Sequence, residues 1–391
     1  MKYESFIYYF RIILIESIND NKELSNNNKW NLMAHEYLKK AKKAKNDEFY
    51  TQYIDIQKEV SAYIDYDPDV FKNKTILLPC DDPEWSNFTK FFAQNFELFG
   101  IKKLISTSFA FQSKGYDATY EPTEFEKNNP IYNAQKTKIN GKIFTLDRDN
   151  TKDGKIDIYD LEWKYLDGDG DFNSNEIRAL RDEADIIITN PPFSKFRDFL
   201  TWIIESKKQF LIIGNLNSIS YKEVFRLIRN NILWLGPSII SGDREFEVPV
   251  DVVDLSKFTG QIRDGKYFQR VVGVRWFTNL DHGRRHQAIP LMTEKDVIKF
   301  STKKPYDKYD NYDAIEVSYV KQIPSDYDGV MGVPISFLDK HNPDQFHILG
   351  LSASAGYDPE IVGLEFKGET DARPLIDGKI KYARIFIKAI R

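Results

Sequence analysis

Asn190-Pro191-Pro192-Phe193 brings together residue types suited to holding a planar amine. The Asn190 amide oxygen and the Pro191 carbonyl are acceptors for an exocyclic NH2 group. Proline fixes φ and removes a backbone donor, so the turn is rigid. The Phe193 ring can stack on the plane that carries the amine. The tetrapeptide directly follows Ala184-Asp-Ile-Ile-Ile-Thr189, an apolar run that reads as a buried parallel strand. A Pro-Pro stop with a core Phe is the competing structural reading, and the four residues alone leave both open.

Other segments carry polar chemistry. Asp81-Asp82-Pro83 follows the apolar run Thr75–Pro79; carboxylates there can accept from ribose hydroxyls, or cap a helix. No G-x-G-x-x-G accompanies them, which disfavours a pyrophosphate nest. The pattern favours a ligand with a ribose and a cationic centre but no pyrophosphate, a description that S-adenosylmethionine fits. In Asp167-Gly-Asp-Gly-Asp-Phe172, Asp171 can accept from an adenine amino group with Phe172 against the ring. Residues 149–160 match much of an EF-hand loop, with Gly154 at position 6 and Asp160 at position 12. Lys142–Leu146 before them reads as a strand rather than the entering helix, so an acidic hairpin turn is the favoured reading over calcium. Lys45–Gln52, with Phe49, Tyr50 and Thr51, can close over a small ligand. His282, Arg284 and Arg285 form a cationic cluster that, with Lys195, Arg197, Arg226 and Arg229, can make a local phosphate-binding surface. His282 and His286 lack an evident third ligand nearby, so no metal site is expected.

The elements that must position these groups are legible in the pattern. At 391 residues, with 41% hydrophobic and 14% aromatic content, two packed units are expected. The net charge of −4 argues against a non-specific polyanion binder but not against a local basic cleft. Cys80 is the one cysteine, which excludes an intramolecular disulfide and points to a reducing cytoplasm. The apolar run Phe6–Ile18 is too short for a membrane span and lacks signal-peptide features. Strands are expected at Thr75–Pro79, Lys103–Ser106, Asp185–Thr189 and Gln209–Ile213. Helices are expected at Asn87–Phe99, Phe196–Ser206 and Tyr221–Arg229. Such alternation predicts a parallel sheet covered on both faces, with ligands bound beyond the strands' carboxyl ends. A smaller α+β unit is expected towards the carboxyl terminus.

Taken in order, KNDEFYTQ (45–52), LPCDDPEWSNF (78–88), DGDGDFNSNE (167–176), ADIIITNPPFSKFRDF (184–199), FLIIGNLNSISYKE (210–223), WFTNLDH (276–282) and YDGVMGVPISFLDKHNPDQFHILG (327–350) resemble the EcoRI-type adenine-specific DNA methyltransferases. The resemblance implies an α/β, Rossmann-like class I fold: a seven-stranded, mostly parallel sheet with helices on both faces and a smaller C-terminal α+β DNA-recognition region. It implies a helical extension at 1–44, an S-adenosylmethionine-dependent catalytic domain at 45–280 and a target-recognition region at 281–391. Phe49, Tyr50, Thr51, Asp81, Asp82, Asp171 and Phe172 would hold S-adenosylmethionine, although the usual Phe-x-Gly-x-Gly is absent. Asn190, Pro191, Pro192 and Phe193 would hold a flipped adenine, with Lys195, Arg197, His282, Arg284 and Arg285 on the DNA. The implied partner is double-stranded DNA, in a restriction-modification or host-protection role. A cognate endonuclease would then be a functional rather than a stable partner, and the chain a cytoplasmic monomer. Methylation of RNA adenine, cytosine N4 or protein glutamine is the alternative within enzymes; a calcium-binding or inactive DNA-binding module is the alternative outside them.

Overall fold

The computed structural model describes residues 51–81, 86–110, 129–240, 243–248, 260–302, 305–352, 358–368 and 371–390. Residues 1–44, Phe49, Tyr50 and Asp82, all assigned roles from sequence, lie outside the described residues.

Helix α1 (Tyr53–Ile64) leads to β1 (Thr75–Leu78), α2 (Asn87–Gln94) and β2 (Lys103–Ser108). After α3 (Ala134–Ile139) come β3 (Lys142–Leu146), β4 (Glu162–Tyr165), α4 (Asn175–Glu183) and β5 (Ile186–Thr189). Then follow α5 (Phe196–Ser206), β6 (Gln209–Asn215), α6 (Lys222–Arg229) and β7 (Trp234–Leu235). Three antiparallel strands, β8 (Arg244–Val248), β9 (Gln261–Arg263) and β10 (Lys266–Val271), precede β11 (Val274–Thr278). The rest of the described chain holds α7 (Glu294–Phe300), β12 (Ile315–Glu316), β13 (Met331–Val333), β14 (Phe346–Leu351), α8 (Pro359–Val362), β15 (Leu375–Ile376), β16 (Lys379–Ile380) and β17 (Ile385–Ala389).

The central sheet runs β4-β3-β2-β1-β5-β6-β11-β7. Its middle four strands are mutually parallel. Antiparallel pairing reverses β3 against β2 and β11 against β6. The outermost strands β4 and β7 are antiparallel to those two, and so regain the common direction. The sheet is therefore mostly parallel in direction, with eight strands where seven were expected. Its two ends differ from the centre because an antiparallel neighbour, β3 or β11, flanks the parallel strands there.

The central strands are apolar along the stretches covered on both faces, with polar residues at their ends. Period-2 alternation sends Leu77, Ile105, Ile187, Phe210 and Ile212 to one face, against Ile177 of α4, Phe199 and Trp202 of α5, and Phe225 of α6. Ile76, Leu104, Ile186, Ile188, Leu211 and Trp276 face the other side, against Ile56 and Val60 of α1 and Phe88 and Phe92 of α2. Each such buried side chain contributes about 1.5–3 kcal/mol relative to exposure. The four-stranded sheet β12-β13-β17-β14 is built differently, from short, mostly antiparallel strands. Met331, Val333, Ile348 and Ile387 from it join the same apolar cluster as α4, α5 and α6, so the C-terminal segment shares a core with the central sheet. Lys222 of α6 pairs with Asp358 at 3.3 Å and Glu360 at 3.1 Å, and Arg275 of β11 with Asp339 at 3.5 Å, across the same junction.

One acidic group is buried in α1. Glu59 is fully enclosed and accepts from Tyr63 Oη at 2.7 Å and from the Ser238 N–H at 2.9 Å. Gly236 makes room for it, since a Cβ there would collide with the Glu59 carboxylate. Burial pushes this carboxyl up to about 7, against the lowering effect of its hydrogen bonds. A carboxyl raised in the fold contributes stability that is complete below its ordinary range and is lost as pH rises through about 7. Urea titrations between pH 4.5 and 7.5 are therefore expected to show a decline on the order of 3 kcal/mol from this group. Glu59→Gln should remove that decline; an unchanged slope in the variant would contradict the assignment.

Candidate active site

The carboxyl edge of the parallel strands is organised around the Pro79-Cys80-Asp81 turn. Asp81 is 4% exposed. Its Oδ1 accepts from Ser86 Oγ at 2.6 Å and its Oδ2 from Thr189 Oγ1 at 2.6 Å. The Asp81 carbonyl accepts from Thr89 Oγ1 at 3.1 Å and from Ser106 Oγ, and its N–H donates to the Thr107 carbonyl at 3.1 Å. Thr107 Oγ1 donates to the Pro79 carbonyl at 2.9 Å. All these hydroxyl residues are buried. Buried polar groups of this kind are tolerated because each finds a partner. Ser86 also caps α2, accepting from the Phe88 N–H at 3.1 Å.

Thr189 is the last residue of β5, and its hydrogen bond to Asp81 ties that strand end to the β1 turn. The next residue is Asn190, half-buried, followed by buried Pro191. The Pro192 carbonyl accepts from the Lys195 N–H at 2.9 Å, which closes a single 3-10 turn over Phe193–Lys195 and feeds directly into α5. Phe193 is half-buried and meets Phe246 of β8 edge to face, with centroids 6.4 Å apart. Gly214, near the end of β6, is required by close approach: a Cβ there would strike the Phe196 ring at the start of α5.

Thr51 reaches the same edge. Its carbonyl accepts from Asn87 Nδ2 at 2.8 Å, and Asn87 is the first residue of α2. Thr51 is 4% exposed, yet among the described residues its Oγ1 has no hydrogen-bond partner, and neither does the buried Nε2 of Gln52 beside it. A buried hydroxyl and amide left unsatisfied are costly unless something else satisfies them. These two groups fit the polar amino-acid end of S-adenosylmethionine.

The 167–172 turn crosses to the end of β2, where the Asp169 carbonyl accepts from the Ala110 N–H at 2.7 Å. Gly170 adopts φ +87°, and a Cβ on it would meet the Ser108 carbonyl. Asp171 is half-buried, and its Oδ1 accepts from the Asn173 N–H at 2.8 Å. Phe172 is 7% exposed and packs edge to face on Phe199 (5.2 Å) and Trp202 (5.8 Å), so its ring supports α5. The 149–160 loop is closed by its own backbone. Asp149 accepts from the Lys152 and Gly154 N–H groups, and Asp160 from those of Asn150, Thr151 and Asp157. These bonds, that from Asp157 foremost, hold the Asp160 carboxyl below the usual range. The segment entering the loop is β3, a strand, as the sequence suggests. Among the described residues no group of three or more His, Cys, Asp and Glu side chains is arranged to hold a metal ion.

The basic residues divide between two edges. Lys195 and Arg197 are exposed at the carboxyl edge, directly after the tetrapeptide. Lys195 Nζ lies 5.9 Å from the Phe172 ring centroid, and the Arg197 guanidinium lies 4.5 Å from that of Tyr221. His282, Arg284 and Arg285 lie beyond the opposite edge, because β11 runs antiparallel to β6 and ends at Thr278, level with Leu211. His282 is buried against Tyr63, its Nε2 3.3 Å from the Leu235 carbonyl, and burial holds its pKa down at about 4. Arg284 donates to the Pro237 carbonyl at 2.7 Å. Arg285 donates to Asp281 and Asn231 at 3.1 and 2.7 Å and lies 3.5 Å over the Trp234 ring. The single basic surface expected from sequence is thus split by strand direction.

The hydroxyl set around Asp81 was not among the residues singled out from sequence. Its signal is the polar ends of otherwise apolar strands: Ser106-Thr107-Ser108 on β2 and Thr189 on β5.

Among the described residues no helix is long and apolar enough to cross a membrane. Residues 37–390 match the family model described as adenine-specific methyltransferase EcoRI. The chain is 40% identical to the type II methyltransferase M.EcoRI of Escherichia coli, over 91% of this chain and 97% of that protein. It is 35% identical to M.MpnI of Mycoplasma pneumoniae, over 90% of this chain and 98% of that one. It is also 35% identical to M.MgeORF184P of Mycoplasma genitalium, with the same coverage. No solved structure matches it. A family match over residues 37–390 and relatives at 35–40% identity along nearly the whole length lead to one assignment: the chain belongs to the EcoRI family of adenine-specific methyltransferases.

Proposed function

We propose that this protein transfers a methyl group from S-adenosylmethionine to N6 of an adenine at a specific site in duplex DNA, within a restriction-modification or host-protection system. The observation that carries the reading is the position of Asn190–Phe193. It leaves the carboxyl end of β5 tied to the β1 turn, on the edge that Thr51 and the 167–172 turn also reach. Residues 45–280 would form the catalytic region and 281–391 the target-recognition region, in a monomeric cytoplasmic enzyme.

An adenine within the duplex cannot present N6 to an electrophile, so it must leave the stack at a cost of a few kcal/mol. Stacking on Phe193 offsets part of that cost. Asn190 Oδ1 and the Pro191 carbonyl accept from the two N6–H bonds, which favours a pyramidal nitrogen with an available lone pair. Thr51 and Gln52, with the 167–172 turn, hold S-adenosylmethionine on the same edge. When bound, the cofactor supplies a methyl group on a sulfonium, an electrophile suited to an amine. Rigid placement of the amine by the Pro-Pro turn provides most of the catalytic gain, and the proton lost from N6 leaves to water.

Tritium transfer from labelled S-adenosylmethionine to duplex DNA, RNA and protein tests the reading. Label is expected on duplex DNA, as N6-methyladenine, and should persist in the presence of chelator. Label on RNA, on protein or on cytosine, with none on DNA adenine, would overturn it. Asn190→Ala should lower turnover by about 10²–10³-fold or more, the scale for removing a group that acts on the reacting centre. Cofactor affinity measured by equilibrium titration should stay near wild type in that variant.

The division of the basic residues gives a second expectation. Lys195→Ala and Arg197→Ala should each weaken DNA binding and reduce the slope of log affinity against log salt by about 1. Arg285→Ala should leave that slope unchanged while costing about 1–3 kcal/mol of stability through the unpaired groups it leaves behind. A salt slope altered by Arg285→Ala and untouched by the other two would place the DNA on the opposite edge.

A further inference from the structure

We infer that Asp81 and Thr189 act as positioning residues for Asn190, rather than Asp81 serving as a ligand of the cofactor ribose. The inference rests on the reading of Asn190–Phe193 as the amine-holding site. Asp81 is buried at the end of β1, and its two carboxylate oxygens take hydroxyls from two different elements. Oδ2 takes Thr189 Oγ1, one residue before Asn190 and at the last position of β5. Oδ1 takes Ser86 Oγ, the cap of α2. β1 and β5 are neighbouring parallel strands, paired through Ile76–Ile186 and Leu77–Ile187, and this pairing ends before Thr189. Beyond that point the Asp81–Thr189 bond joins the two strand ends.

The geometry gives that bond leverage. Successive Cα atoms are about 3.8 Å apart, so the Thr189 side chain fixes the backbone immediately before the acceptor amide. Both Asp81 bonds are short for O–H···O contacts, at 2.6 Å. The carboxylate is in turn held in place, since the Asp81 N–H and carbonyl are engaged by Thr107, Thr89 and Ser106 of β2 and α2. The position of Asn190 is thereby referred to three elements at once. On the Ser86 side, the adjacent Asn87 holds the Thr51 carbonyl, so the segment with the unsatisfied Thr51 hydroxyl is referred to the same anchor.

A positioning role and a ribose-binding role separate in kinetics. Thr189→Val removes the hydroxyl at nearly constant volume, Thr189→Ser keeps it, and Asp81→Asn removes the charge. The measurements are single-turnover methyl transfer to duplex DNA and the dissociation constant of S-adenosylmethionine, with Asn190→Ala alongside. Thr189→Val and Asp81→Asn are expected to lower the transfer rate by about 10- to 100-fold, the scale of a small misplacement of a reacting group. The cofactor constant should stay within about threefold, Thr189→Ser should restore near wild-type transfer, and the double variant should be little worse than either single one. A wild-type rate in Thr189→Val, or a loss in Asp81→Asn that lies mainly in cofactor affinity, would overturn the inference. Should Thr189→Val fail to fold, the split between rate and cofactor affinity in Asp81→Asn decides alone. Turnover surviving in Asn190→Ala would instead mark failure of the amine-holding reading itself.

Discussion

A buried carboxylate at the junction of two parallel strands and a helix cap sets the geometry of the candidate site. Asp81 would be costly in an apolar sheet edge without partners. Ser86 and Thr189 supply them at 2.6 Å, while Thr89, Ser106 and Thr107 engage the backbone of the same turn. Half-satisfied, such a network would be worse than an apolar packing; satisfied, it specifies one arrangement. The end of β5 is therefore held by a side-chain hydrogen bond in addition to its pairing with Ile212 of β6, above the buried, ladder-paired Ile186, Ile187 and Ile188.

The polar and charged groups singled out from sequence are distributed over two edges of the sheet. At the carboxyl edge lie Asn190–Phe193, Thr51 and the 167–172 turn, with Lys195 and Arg197 exposed beside them. At the other edge, charged groups are engaged in contacts within the fold. Arg285 is stacked on Trp234 and bonded to Asp281, and His282 is kept neutral by burial. Glu59 sits within hydrogen-bonding reach of Ser238 in the segment that leaves β7. The C-terminal sheet is tied to the same framework through α6 and Asp339.

Much of this was legible in the chain. Runs such as Thr75–Leu78, Ile186–Thr189 and Gln209–Asn215 are apolar because both their faces are covered, and that makes them readable as central strands. The position of Asn190–Phe193 directly after a central strand was readable, because the apolar run before it ends at Thr189. Strand direction was not readable: Val274–Thr278 has the same apolar pattern whether it runs with or against β6. That ambiguity grouped His282, Arg284 and Arg285 with Lys195 and Arg197. The contacts of Phe172, read as a face for a purine, with Phe199 and Trp202 of α5 were not readable, because they depend on the packing of that helix. The partners of Asp81 were hidden because they come from segments up to 108 residues apart.

Photocrosslinking tests most directly whether the target base is held by this tetrapeptide. A duplex carrying 5-iodouracil in place of the methylated adenine, irradiated in complex with the protein, attaches to the aromatic ring on which the extruded base rests. Mass spectrometry of the crosslinked peptide should locate the attachment at Phe193. Attachment in the 281–286 segment, or at Phe172, would contradict the account.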